Sequence, residues 1–278
     1  MLRQHSGSDT FAGLLGEARA ASTAGGGTSL TTTAGLISLP RGASHFSVLA
    51  RNFGGGAVAV QVALNPFLRL IKTTDLLQTL TDYSHAAHDA DASTTVVLSS
   101  LNTFANGDAI YVGSHVPIRG LAVTMTASLN GNASILSGYY WNGSAWTDLS
   151  VTDGTIAPAG TCLGQSGTIT WTVPTAWAKA RLGDIVATPA LFTLAVPRED
   201  LYWLRLEVSA ALDASCTAQQ MLPLNRSTAY AELTTEAALL QFRTTVGVGG
   251  VGCLEAKTNA GTASLVVNAF ADGGACFA

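Results

Sequence analysis

The sequence predicts an all-β fold: an antiparallel, jelly-roll-like β-sandwich in the middle of the chain, additional small β regions beside it, and an extended N-terminal arm. Short segments rich in Val, Thr, Tyr and Trp recur along the chain, and turn dipeptides separate them about every ten residues. The apolar residues are interleaved with Thr, Ser and Gly. No window holds the roughly 18 consecutive apolar residues that a membrane-spanning helix needs.

The N-terminal segment, residues 1–27, is rich in Gly, Ala and Ser and runs into the sequence STAGGGTS. This composition is typical of an extended arm or linker. The segment lacks a basic stretch followed by an apolar one, so we expect no secretion signal. The N-x-S sequons at Asn132, Asn142 and Asn225 are then not expected to carry glycans.

Residues 28–92 are predicted to form a β region with one short helix. Apolar side chains alternate on both sides of Gly54–Gly56, which predicts a β-hairpin. They are Phe46, Val48 and Ala50 before the glycines, and Val58, Val60, Val62 and Leu64 after them. The next stretch is ambiguous. Leu68, Leu70 and Thr73 fit a strand, whereas Leu76, Leu77 and Leu80 fit a short helix opened by Thr73 or Thr74.

Residues 93–222 are predicted to form the central β-sandwich. The strand candidates are TTVVLSSL, AIYVGS, GLAVTMTASL, SILSGYYW, WTDLSV, GTITWTV and LYWLRLEVSA. Between them lie turn dipeptides, namely Asn106-Gly107, Asn130-Gly131, Asn142-Gly143 and Asp153-Gly154. Residues 223–278 are also β-like. Either they form a small third unit, or they complete the sheet begun by residues 36–64 and leave the middle domain as an insertion.

The segment GYYWNGSAWTDLS concentrates aromatic side chains in a chain that is only 7% aromatic. Asn142-Gly143 favours a two-residue type I′ turn, because both positions need positive φ. Tyr140 then lies on one face, Tyr139 and Trp141 lie on the other, and Trp146 falls near Tyr139 or Tyr140. The favoured interpretation is a hairpin whose aromatics anchor a core, and the alternative is a platform on which a sugar stacks.

Several aromatic residues are predicted to lie in the core or in an interface, and the sequence does not separate these two roles. They are Tyr140, Trp141, Trp146, Trp177, Phe192, Tyr202 and Trp203.

Few residues indicate chemistry, and we expect neither an enzyme nor a cofactor. His85, His88 and Asp89 could ligate a metal, but their polar, Ala-rich surroundings favour a loop. The run GVGGVG lacks the helix and the acidic residue of a dinucleotide site. The four cysteines have no C-x-x-C spacing, which favours buried thiols, with a Cys253–Cys276 bridge only in an oxidising compartment.

Charge is scarce: only 12% of the residues are Asp, Glu, Lys or Arg, against about 25% in an ordinary soluble domain. A surface with so little charge tends to be covered by other subunits, which predicts a permanent homo-oligomer or a larger assembly. The net charge is −4, and the lysines are Lys72, Lys179 and Lys257 alone. Direct binding of nucleic acid is therefore not expected.

Three sequence segments, occurring in the same order, resemble a β-sandwich module of tailed-bacteriophage structural proteins. They are YWNGSAWTDLSVTDGT, QSGTITWTVPTAW and LYWLRLEVSAAL. The similarity covers about residues 65–235. The resemblance implies a virion component made in the bacterial cytoplasm, most simply a capsid decoration or head-associated protein. It also implies other virion proteins as partners and self-association, often as trimers. A tail or baseplate adaptor or fibre is the alternative, and a carbohydrate-binding adhesion module is another.

Overall fold

The computed structural model describes residues 28–39, 45–54, 57–74, 79–89, 91, 93–186, 198–224, 231–235, 239–243 and 250–270. It confirms the all-β prediction, since 51% of the residues that it describes are in strands and 4% are in helices, and several antiparallel sheets pack together. Residues 1–27, the predicted arm, lie outside the described residues. In the described part of the chain, no helix is long and apolar enough to span a bilayer.

The strands are short, as the turn spacing predicts. The first ten are β1 (Thr28–Leu30), β2 (Gly35–Ser38), β3 (His45–Gly54), β4 (Val60–Pro66), β5 (Arg69–Thr74), β6 (Thr79–Asp82), β7 (Val96–Val97), β8 (Ala109–Ser114), β9 (Gly120–Met125) and β10 (Leu136–Trp141). The others are β11 (Trp146–Asp148), β12 (Thr152–Asp153), β13 (Gly167–Thr170), β14 (Lys179–Ala180), β15 (Leu201–Val208), β16 (Thr217–Leu224), β17 (Ala231–Leu233), β18 (Leu239–Arg243), β19 (Val251–Thr258) and β20 (Thr262–Phe270). A 3₁₀ turn covers Phe104–Asn106, and the helix α1 covers Leu182–Ile185.

The chain divides into two compact units. One, which we call the split unit, combines Met1–Phe67 with Ser227–Ala278, and the other, the inserted unit, is Leu68–Arg226. Strands after residue 227 pair with strands before residue 67: β20 lies beside β3, and β19 lies beside β4. Of the two arrangements that the sequence left open for the C-terminal region, this is the one with an insertion.

The split unit contains two four-stranded sheets with one core between them. Their orders are β1-β20-β3-β18 and β17-β4-β19-β2. The predicted alternation of apolar side chains is confirmed. Phe46 and Val48 of β3 and Val60 and Val62 of β4 are buried in the same core. The predicted hairpin is wrong, however, since β3 and β4 belong to different sheets. Alternation shows which side chains face the core, and both strands face it from opposite sides.

The inserted unit also contains two sheets around a core. Their orders are β11-β10-β15-β8-β5-β6, with β14 also pairing with β15, and β12-β13-β9-β16-β7. The core includes Val112 and Leu204 from the first sheet and Leu121 and Ile169 from the second. Burying a side chain of this size contributes about 1.5–3 kcal/mol relative to leaving it in water.

The predicted boundary at residue 92 is wrong, because β5 pairs with β8 inside the inserted unit. Residues 68–92 therefore belong to the inserted unit. The predicted short helix is also incorrect where it can be compared: Thr73 and Thr74 end β5, and Leu80 lies in β6. Residues 75–78 lie outside the described residues. The leucine spacing was compatible with a helix, but Leu80 pairs with Thr73 of β5, and this pairing fixes the extended backbone.

Turns in the inserted unit use Asp carboxylates in a repeated way. In five Asp-x-Ser or Asp-x-Thr sequences, the backbone N–H and the hydroxyl of the third residue both donate to the Asp carboxylate. The pairs are Asp82–Ser84, Asp91–Ser93, Asp148–Ser150, Asp153–Thr155 and Asp213–Ser215. These Asx turns satisfy backbone donors where the chain reverses. Five of the twelve acidic residues in this unit thus serve as turn formers.

Candidate functional site

The aromatic segment forms the hairpin β10–β11, as the sequence predicts. Trp141 lies directly opposite Trp146, and their ring centroids are 5.7 Å apart. The predicted partners of Trp146 were Tyr139 or Tyr140, and that register is wrong. Tyr139 pairs with Asp148, and Tyr140 pairs with Thr147.

The turn explains the corrected register. Asn142 N–H donates to Ala145 O at 3.1 Å, so the central residues are Gly143 and Ser144. Gly143 has φ +101°, whereas Asn142 and Ser144 have no positive φ, which excludes the predicted type I′ turn. The Asn142 side chain closes the loop instead: Oδ1 accepts from the N–H of Ser144 and Ala145, and Nδ2 donates to Thr147 Oγ1 at 2.9 Å. Asn142 therefore acts as an Asx residue before the turn.

The hairpin distributes its aromatic residues between both faces of the seven-stranded sheet. Tyr140 packs against the core, with its ring edge-on to Trp177 at 6.3 Å. Tyr139, Trp141 and Trp146 are half-buried on the opposite face. Tyr140 therefore anchors the core, whereas Trp146 packs against Tyr111 on the opposite face.

Trp203 is fully buried, yet it faces away from the main core. It packs with Tyr111, Leu201 and Leu182 of α1 in a second apolar cluster. Its Nε1 donates to Ala180 O at 2.9 Å. The sheet is thus covered on its second face too, at least at this end of β15. Phe192, another predicted aromatic, lies outside the described residues.

An arginine inside an aromatic cage is the central feature of this second face. Arg205 of β15 places its guanidinium carbon 4.1 Å from the ring centroid of Phe104, 4.9 Å from that of Trp146 and 5.0 Å from that of Tyr139. Its Nε lies 2.5 Å from Glu207 Oε1. The two side chains are only 12% and 13% exposed. We call this set the outer-face cluster: Phe104, Tyr111, Tyr139, Trp146, Arg205 and Glu207.

Burial sets the electrostatics of the outer-face cluster. It raises the pKa of the Glu207 carboxyl, and the neighbouring Arg205 opposes that rise. Burial also raises the pKa of Tyr111 to about 12. The rings supply the negative face of their π systems to the guanidinium, which replaces part of its lost hydration. The cluster can therefore hold a cation and an anion away from water without a further ligand.

Sequence reasoning missed Arg205, Glu207 and Phe104. A signal was present in LYWLRLEV, where Arg205 and Glu207 share the phase of Leu201 and Trp203. Large apolar residues at these alternating positions indicate that this face of the strand is covered by other side chains and is not exposed to solvent. Phe104 carries no comparable signal, because it lies on a 3₁₀ turn outside the strand pattern.

The candidate metal ligands do not converge. His88 is buried, with Nδ1 2.8 Å from Ser84 O, and its Nε2 accepts from Leu68 N–H at 3.1 Å. Both ring nitrogens are therefore used inside the fold, whereas His85 is exposed. Within the described ranges, no three His, Cys, Asp or Glu side chains, Asp89 included, are grouped to hold a metal ion.

The described cysteines are free and buried, as predicted. They are Cys162, Cys216 and Cys253. Burial raises the pKa of Cys216 and of Cys253 to about 12, so neither thiol is a ready nucleophile. Cys276, the other half of the possible bridge to Cys253, lies outside the described residues.

Comparisons of the chain with protein-family models, with curated proteins and with solved structures gave no match. The resemblance to tailed-phage structural proteins therefore stays a prediction from the sequence.

The buried ion pair generates a stability prediction. Replacing Arg205→Met is expected to lower the free energy of unfolding by about 3 kcal/mol, because Glu207 then stays buried without its partner. Replacing Glu207→Met in addition is expected to recover most of that loss, since two apolar side chains suit this environment. Urea denaturation of the three proteins measures both effects.

The exposed ion pair Arg181–Asp200 provides the matched control, with side chains 60% and 63% exposed. Arg181→Met is expected to change the free energy of unfolding by less than about 1 kcal/mol. Equal losses for Arg205→Met and Arg181→Met would contradict the role given to the cage.

His88 generates a pH prediction. Burial lowers its pKa from 6.5 to about 4, so the unfolded chain binds a proton that the folded chain excludes in this window. This contribution to the free energy of unfolding is fully present above pH 6.5. It is lost as the pH falls towards 4, by about 3 kcal/mol in total. Urea denaturation at several pH values is expected to show this loss in the wild type and a smaller one in His88→Gln.

His85→Gln is the control for the His88 substitution, because His85 is exposed in the same turn. It is expected to keep the wild-type pH dependence. Identical profiles for His88→Gln and the wild type would show that His88 does not titrate as described.

Proposed function

We propose that this chain is a structural component of a tailed-phage virion, a capsid decoration or head-associated protein that binds neighbouring shell subunits as an oligomer. In this proposal it acts by assembly and catalyses no reaction. The resemblance over residues 65–235 supports the virion context. The scarcity of charge supports a surface that is covered in the working state.

The observation that carries the proposal is the aromatic second face of the seven-stranded sheet. An antiparallel sheet that keeps one face in water normally carries polar side chains there. Here Tyr139, Trp141 and Trp146 lie on that face and remain half-buried in the isolated chain. Aromatic residues of this kind are enriched at the centres of protein interfaces. The face is therefore suited to cover by a neighbouring subunit.

A carbohydrate-binding role is the second candidate, and one observation favours it. Asp148 is exposed and lies directly across the hairpin from Tyr139. A half-exposed ring beside a carboxylate can stack on a sugar and orient its hydroxyls. A virion could use such a site for adhesion to its host.

Virion incorporation tests the first proposal. Particles banded from the phage that encodes the chain are expected to contain it at a fixed copy number after washing. Trp141→Ser is expected to lower that copy number about tenfold, because it removes a large apolar contact worth about 1.4 kcal/mol or more. Separated heads and tails, probed with an antiserum, show which part carries the chain.

Val116→Ser is the control, because Val116 is 50% exposed and lies outside the β10–β11 hairpin. It is expected to incorporate normally. Washed particles that lack the wild-type chain would overturn the proposal. Quenching of tryptophan emission by host polysaccharide in the wild type, but not in Trp141→Ser, would favour the carbohydrate-binding role.

A further inference from the structure

One end of the inserted unit is built from three loops, residues 126–135, 154–166 and 209–216, which we call the loop cluster. They connect β9 to β10, β12 to β13 and β15 to β16. The strand register brings them to the same end: Val123 pairs with Gly167, Leu136 with Val208, and Met125 with Ala218.

Asn130 joins the three loops from a buried position. Its Nδ2 donates to Cys162 O at 2.8 Å and to Ser134 Oγ at 3.0 Å. Its Oδ1 accepts from Asp213 N–H at 2.9 Å, and its own N–H donates to Leu163 O at 3.1 Å. The Asn130 side chain, at 3% exposure, therefore links its own loop to both of the others.

Further hydrogen bonds fix the loops around Asn130. Cys162 N–H donates to Ser134 O at 3.1 Å, and Asn132 Nδ2 donates to Ala211 O at 3.2 Å. Ile135 N–H donates to Ser209 Oγ at 2.9 Å. Loops held in this way lose little conformational freedom when a partner binds, which favours association.

The surface that these loops present is apolar and almost uncharged. Among the described residues, four large hydrophobic side chains are exposed, and three belong to the loop cluster: Leu129 at 42%, Ile135 at 68% and Ile156 at 46%. The charged residue of the three loops is Asp213 alone. Its Oδ1 already accepts from the N–H and the hydroxyl of Ser215.

We infer that the loop cluster is a contact between copies of this chain, arranged around a rotation axis. Close to a rotation axis a side chain faces its own copy, so a charge there would meet a like charge. A surface with three exposed aliphatic side chains and one carboxylate, which is hydrogen-bonded within its own loop, meets this requirement. A partner of opposite charge would find nothing complementary in it.

This inference deepens the proposed function, because it names the surface through which the oligomer forms. It rests on the proposed function in one respect, namely that the chain forms an oligomer. The outer-face cluster and Trp141 belong to a different surface. Loss of self-association and loss of virion incorporation are therefore measured separately.

Light scattering of the purified full-length chain tests the inference. The wild type is expected to have one discrete mass above that of the 28.5 kDa monomer. Ile135→Asp is expected to raise the dissociation constant about 100-fold, because each copy brings a new buried charge to the axis. Ile156→Asp is expected to act in the same direction.

Val116→Asp is the matched control. Val116 is 50% exposed but precedes β9, whereas the loop cluster follows β9, so it lies at the other end of that strand. It is expected to keep the wild-type mass, and far-UV circular dichroism checks that all variants fold. A monomeric wild type at about 0.1 mM, or Ile135→Asp and Ile156→Asp proteins with unchanged mass, would overturn the inference. So would equal dissociation by Val116→Asp.

Discussion

The seven-stranded sheet is buried on both faces around strand β15, and the inserted unit depends on how that strand meets this constraint. Leu204 and Leu206 fill the core, while Trp203 and Arg205 point to the second face. A strand buried on both sides normally reads as continuous apolar sequence. Here an arginine is accommodated because Glu207 neutralises it and aromatic rings surround its guanidinium. The two charges of β15 on this face therefore lie within the outer-face cluster.

Charge is also scarce in the loop cluster, whose charged residue is Asp213 alone. Asp carboxylates such as Asp153 and Asp213 are engaged by Ser or Thr two residues later. Asn130 and Asn142 organise their loops through neutral amide groups. Neutral hydrogen bonding satisfies the backbone without adding charge at the surface. In the proposed assembly, such surfaces contact other protein chains.

Much of the fold could be predicted, because strand alternation and turn dipeptides are local signals. The β8 prediction matched both ends of the strand, and the opposite faces of Tyr140 and Trp141 were correct. Sheet membership depends on distant partners, so the pairing of β3 and β4 was wrong. β16 was missed because Pro223 lowers strand propensity, although this residue pairs with Leu121. The cage around Arg205 joins four separate segments, and no local pattern reports their convergence.

We propose that this chain associates with itself through apolar, uncharged surfaces, and the first measurement to make is the salt dependence of that association. The dissociation constant is to be measured by light scattering from about 0.05 M to about 1 M sodium chloride. We expect a dissociation constant that stays within about threefold of its low-salt value or decreases, because salt screens charges but does not weaken apolar contacts. An increase of about tenfold or more would show instead that ion pairs hold the copies together.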